Sequence, residues 1–76
     1  MTTILVNAEA KRDVLARVVM LLHRRGIFIP SFSMGASELP GILRMVITVE
    51  TDCEQAKRLI ADLYKIVNVV SVETAA

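Results

Sequence analysis

The sequence predicts an α+β domain of ferredoxin-like βαββαβ order, a four-stranded antiparallel sheet with two helices on one face. Three observations predict it. The apolar period alternates between that of a strand and that of a helix, in the order β-α-β-β-α-β. Pro and Gly stand in sequence only at Leu39-Pro40-Gly41, between the second and third strands, where a hairpin needs them. Two βαβ halves with right-handed crossovers bring both helices to the same side of the sheet. The 76 residues fit a single such domain, 1–76, with its core over about 3–73.

Thr2 to Ala8 reads as the first strand, with Ile4 and Val6 alternating with Thr3, Leu5 and Asn7. The polar stretch Glu9-Ala10-Lys11-Arg12-Asp13 interrupts it. From Asp13 to Arg25, Val14, Leu15, Val18, Val19, Leu21 and Leu22 form a wide helical stripe. Lys11, Arg12, Arg17 and Arg24 lie largely off that stripe, as a solvated face would. Asp13 suits the helix start as a cap accepting free N–H groups, and Gly26 suits a left-handed residue just past the end.

Ile27 to Ala36 reads as the second strand. Pro30 has no N–H, which places this strand at an edge or gives it a bulge. Ile42 to Glu50 is the third strand, with Leu43, Met45, Ile47 and Val49 on one face. Thr51 and Glu54 have capping-box spacing, as do Asp52 and Gln55 one residue later. Ala56, Leu59, Ile60 and Leu63 mark the second helix. Asn68 to Glu73 is the fourth strand, followed by a frayed tail, Thr74-Ala75-Ala76.

Composition narrows the function classes. A domain this small buries a modest share of its surface and needs a staple. Cys53 is the single cysteine and His23 the single histidine, which argues against an internal disulfide and a structural zinc site. Association with a partner is the remaining staple. Apolar residues make up 54% of the chain, a surplus that a partner surface would cover. No apolar run approaches the roughly 20 residues that span a bilayer. Met1-Thr2-Thr3 lacks the features of a signal peptide, so cytoplasmic residence and no membrane contact are expected. A formal net charge of +1 offers no field for nucleic acid.

Catalytic constellations are sparse. The glycines at 26, 35 and 41 form no phosphate loop. Cys53 and His23 fall on different helices, so a partly buried, inert thiol and a solvated histidine are expected. The third strand offers Met45, Val46 and Ile47 where an RNA-recognition motif stacks bases on aromatics. An acylphosphatase-like site lacks its water-orienting asparagine. No catalytic residue and no metal ligand is therefore assigned, and recognition of a small ligand or a protein remains.

Val14-Leu15-Ala16-Arg17-Val18, then Arg25-Gly26-Ile27-Phe28-Ile29-Pro30-Ser31-Phe32, and finally Leu63-Tyr64-Lys65-Ile66-Val67-Asn68-Val69-Val70, resemble the ACT domain of acetolactate synthase (acetohydroxyacid synthase) small regulatory subunits. The resemblance covers about residues 3–73. It implies a non-catalytic subunit that activates a large catalytic subunit in valine, leucine and isoleucine biosynthesis. It also implies that thiamine diphosphate, magnesium and FAD sit on that large subunit, with no cofactor on this chain. ACT domains of the family pair as homodimers through the second strand. The effector lies between one copy's first loop, here Ala10, Lys11, Arg12, Asp13 and Val14, and its partner's second strand, here Ile27, Phe28, Ile29, Pro30, Ser31 and Phe32.

Two departures from the family pattern bear on the effector. The chain ends at residue 76, as in the short type, and the asparagine and glycine that usually precede the first helix are Ala10 and Asp13. A carboxylate effector seeks bare N–H groups at a helix start. Two anions about 4 Å apart near a surface repel by up to about 4 kcal/mol. Lys11 and Arg12 offset part of that. The expectation is a small subunit without valine feedback. The alternative is a free-standing ACT module binding an amino acid or other small effector at a dimer interface.

Overall fold

Alternation along two strands decides which side of the sheet is covered. In β1 (Thr2–Glu9), Ile4, Val6 and Ala8 are fully buried, and in β3 (Ile42–Glu50) Met45, Ile47 and Val49 are. The two strands pair antiparallel, with Ile4 opposite Ile47 and Val6 opposite Met45, so the six side chains pave one face. The structure, a computed structural model, describes residues 1–75. Its sheet runs β2-β3-β1-β4, all antiparallel, with β2 (Phe28–Ala36) and β4 (Val69–Ala75) at the edges.

Both helices close over the paved face. From α1 (Val14–Arg24) come Val14, Val18 and Leu22, and from α2 (Cys53–Tyr64) come Leu59 and Leu63, all in one cluster with the strand residues. Their spacing of four residues follows one helix face. Only part of the wide expected stripe on α1 is inside: Val19 is exposed and Leu15 and Leu21 are partly buried. Each fully buried aliphatic side chain contributes about 1.5–3 kcal/mol relative to exposure.

The punctuation residues act as their chemistry requires. Gly26 adopts φ +66° just past α1, and Gly41 adopts φ +77° in the β2–β3 turn. Pro30 sits on the edge strand and within a bulge, since Phe28 faces Glu50 while Ser31 already faces Thr48. At α2 the second capping candidate is the one formed: the Gln55 N–H donates to Asp52 Oδ1 at 2.8 Å, and Thr51 Oγ1 donates to Gln55 Oε1 at 3.0 Å.

The fourth strand differs from the expectation at both ends. Asn68 is not its first residue but a left-handed turn residue, φ 78°, whose carbonyl accepts from the Glu9 N–H at 2.8 Å. Asparagine tolerates that conformation better than any branched residue. The expected frayed tail is also corrected: Thr74 pairs with Ile4 and Ala75 with Thr3, because the start of β1 offers an open ladder there. Ala76 lies outside the described residues. A second bulge, between Asn7 and Ala8, leaves Val70 unpaired and exposed.

Leu22→Ala is expected to destabilise the domain by about 2–5 kcal/mol, read as a lower urea midpoint. Met20→Ala, two residues away on the exposed side of α1, should stay within about 0.5 kcal/mol of wild type.

Candidate functional site

The first loop is held against the β2–β3 turn. The Ala10 N–H donates to the Gly41 carbonyl at 2.8 Å, and the Lys11 N–H donates to the Glu9 carbonyl at 2.7 Å. Ala10, Lys11, Arg12 and Asp13 are exposed, while Val14 is buried and anchors the loop to the core. Asp13 does not cap α1, contrary to the expectation. Its backbone has helical dihedrals, φ −94° and ψ −7°, which turn the side chain away from the helix N–H groups. The carboxylate instead pairs with Arg17 at 3.1 Å, one turn on, and both side chains are more than half exposed. The expected anion at the helix start is therefore partly neutralised and well solvated. Repulsion against a bound carboxylate falls towards about 1 kcal/mol, the value for two charges at 4 Å in water.

Along β2 the side chains divide. Ile27, which precedes the strand rather than opening it as expected, packs against the core with Ile29 and Phe32, so these residues are less available than an exposed apolar edge would make them. Phe28, Pro30 and Ser31 are exposed, and Phe28 is 64% accessible. Register separates these residues from the loop. Glu9 faces Ile42 and Ala36 faces Leu43, so the loop lies beside the end of β2. Phe28 faces Glu50 and lies at the opposite end of the sheet. One chain does not bring the two halves of the expected site together. A second copy, pairing its β2 antiparallel to this one, would set the start of its strand beside the end of this strand and hence near the loop.

Two further surfaces were not expected. On the helix-free face, Asn7, Arg44 and Ser71 line a hollow of about 320 Å³ near the same turn. There Asn7 Nδ2 donates to Ser71 Oγ at 3.0 Å, and the buried Asn7 Oδ1 has no partner among the described residues. Between the C-terminal half of α1 and the end of α2 with the turn that follows it runs a larger groove of about 470 Å³, with Met20, Leu21, Ile66 and Val67 as its apolar surface and Arg17, Arg24, Asp62 and Lys65 around it. Arg25 and Lys65 both pair with Asp62 beside it, the latter at 3.8 Å.

A family model described as the AHAS small subunit-like ACT domain matches residues 4–71. The chain belongs to that family. It is 39% identical over 70 residues to the acetolactate synthase small subunit of Mycobacterium avium, which covers 92% of this chain and 42% of that protein. It is 40% identical over 70 residues to the probable acetolactate synthase small subunit of Archaeoglobus fulgidus, covering 92% of this chain and 44% of that one. The crystal structure of the Thermotoga maritima acetolactate synthase small subunit superposes with a TM-score of 0.89 at 34% identity, over 96% of this chain and 45% of that chain. The chain thus spans less than half the length of these relatives.

As an ACT domain, it leaves its two most reactive side-chain types apart and outside the loop. Cys53 opens α2 and is exposed rather than partly buried, because the helix start turns it away from the sheet. His23 is exposed in the last turn of α1. Among the described residues no three His, Cys, Asp or Glu side chains gather as a metal site would require. The groove escaped sequence reasoning because Arg17 and Arg24 read as a solvated face. The usable signal was a second stripe at Arg17, Met20, Leu21 and Arg24, spaced i, i+3, i+4, i+7 beside the core stripe.

Asp52→Ala is expected to cost about 1 kcal/mol, as loss of a formed cap. Asp13→Ala should cost less than about 0.5 kcal/mol, as loss of an exposed i,i+4 ion pair. Urea unfolding of both variants checks the contrast, and equal losses would restore Asp13 as a cap.

Proposed function

We propose that this ACT domain is a non-catalytic, activating small subunit of acetolactate synthase, acting in branched-chain amino-acid biosynthesis. The observation that carries the proposal is the family match across residues 4–71, joined to identities of 39% and 40% with small subunits of that enzyme. The partner is the large catalytic subunit, which holds thiamine diphosphate, magnesium and FAD and performs the chemistry in the cytoplasm. No helix of the described chain is long and apolar enough to cross a membrane. Two copies pair through β2, which supplies each first loop with the exposed Phe28, Pro30 and Ser31 of its neighbour. An edge strand of nine residues with unpaired N–H and C=O groups favours such pairing.

The same domain works without valine feedback in this proposal. Ala10 contributes no side-chain hydrogen bond to an amino-acid ligand. Asp13 adds a carboxylate where the ligand's own carboxylate would lie, and its Arg17 pair engages the nearest compensating cation. The penalty is smaller than an uncompensated charge would impose, so loss of the side-chain donor at Ala10 carries as much of the argument as Asp13.

Reconstitution tests the activation. The purified chain mixed with acetolactate synthase large subunits is expected to raise their turnover, and to do so equally with millimolar valine present. A large subunit indifferent to the chain would refute activation, and valine inhibition conferred by the chain would refute insensitivity. Calorimetric titration of the chain alone with amino acids should give no heat of binding; tight binding without the enzyme would identify a free-standing effector module instead. Sedimentation is expected to show a dimer, and a monomer at micromolar concentration would refute pairing through β2.

A further inference from the structure

The groove between α1 and α2 is unexplained by the core, the first loop or the β2 edge. Its apolar surface is more exposed than packing requires: Met20 is 60% accessible and Val67 is 64%. Neither side chain caps a helix, fills the core or faces β2. Residues at i, i+3, i+4 and i+7 of α1 form one continuous strip along it, the spacing by which helices engage a partner in a groove.

The charge around that strip has a consistent sign. Arg17, Arg24 and Lys65 border it, against the single anion Asp62. Asp62 is already engaged by Arg25, which lies outside the groove, and by Lys65. Arg24 makes no ion pair among the described residues. It answers the dipole at the end of α1, yet the planar fork of its guanidinium keeps donors free. Arg17 is held by an exposed Asp13 at the far side, a pair weak enough to be exchanged for another carboxylate. An apolar floor bordered by cations is complementary to an apolar side chain flanked by carboxylates.

We propose that this groove is the surface on which the domain seats the catalytic subunit, and that the catalytic subunit presents to it an apolar side chain flanked by Asp or Glu. The inference rests on the activation proposed above and deepens it, by assigning β2 to the second copy and the helical layer to the enzyme. The two contacts lie on different parts of the fold, so both can be made at once. Met20 and Val67 fill the apolar centre, and Arg24 with Arg17 pairs the flanking carboxylates. Because these cations are exposed, the association weakens as salt rises.

The test measures affinity for the large subunit directly, by biolayer interferometry, separately from turnover. The chains compared are wild type, Met20→Glu, Arg24→Glu and Lys57→Glu, each checked for an unchanged melting temperature and dimer mass. Lys57 is an exposed cation of α2 that does not line the groove, and its replacement makes the same charge change. Met20→Glu and Arg24→Glu are each expected to weaken binding by about tenfold or more, as truncation of a central contact does, with Lys57→Glu near wild type. Wild-type binding that survives both groove variants would overturn the groove and leave activation standing. Equal weakening by Lys57→Glu would overturn it too, by showing that only net charge counts. If the wild-type chain binds no large subunit, the activation proposal and this inference fall together.

Discussion

Ile4, Val6, Met45, Ile47 and Val49 leave water on one side of the sheet only, and the rest of the molecule is arranged around that one-sided burial. The two crossovers deliver α1 and α2 to the same face, so the core is a single layer between helices and sheet. The opposite face carries Thr3, Asn7, Thr48 and Ser71, joined by a 3.2 Å contact between the two threonine hydroxyls and by the Asn7–Ser71 bond, with Asn7 Oδ1 left without a partner among the described residues. In a domain of 76 residues built this way, the apolar side chains that the single core layer does not take remain at the margins.

Those margins are unequal. At the β2 edge, bulging at Pro30 turns Ile29 and Phe32 inward and leaves Phe28 outward, so the edge offers main-chain groups more than greasy surface. Such an edge suits pairing with an identical strand, where the ladder supplies much of the contact and register supplies specificity. The groove between the helices is the reverse: what it offers is exposed side chains, cationic ones around an apolar floor. It suits a partner of different sequence, chosen by side-chain complementarity. In the proposed assembly each kind of margin meets the kind of partner its chemistry favours.

Much of the fold was legible in the sequence, for local reasons. Period-two alternation in Ile42–Glu50 and the Pro40-Gly41 turn each had one reasonable solution, and Gly26 took up the positive φ its place suggested. Pro30 was legible to the extent that it demanded an edge or a bulge; the structure uses both. What escaped depended on neighbours that are remote in sequence. Asn68 reads as a strand residue until the Glu9 N–H is known to need its carbonyl. Thr74 and Ala75 read as a tail until the unpaired start of β1 is placed beside them. Asp13 reads as a cap because Asp is a common cap, but a single backbone dihedral of −7° redirects its carboxylate to Arg17. The site was less legible than the fold. Its expected halves lie at opposite ends of one sheet, and no periodicity reports which end of a strand a second molecule will occupy.

That separation bears on how such a domain can lose a ligand while keeping its partners. The first loop is fixed by main-chain bonds, Ala10 to Gly41 and Lys11 to Glu9, and by the buried Val14. Ala10 and Asp13 contribute nothing to that anchoring through their side chains beyond an exposed ion pair. Their identity is therefore free to change with an effector, or with none, at little cost to stability. Leu22 and Leu63 have no such freedom, because each is enclosed by the sheet and the other helix. Arg24 and Met20 stand between these cases: no packing holds them, yet their spacing sets an apolar side chain and a free cation on one strip. The proposed groove contact gives that strip a partner, and replacing either residue would cost the fold little.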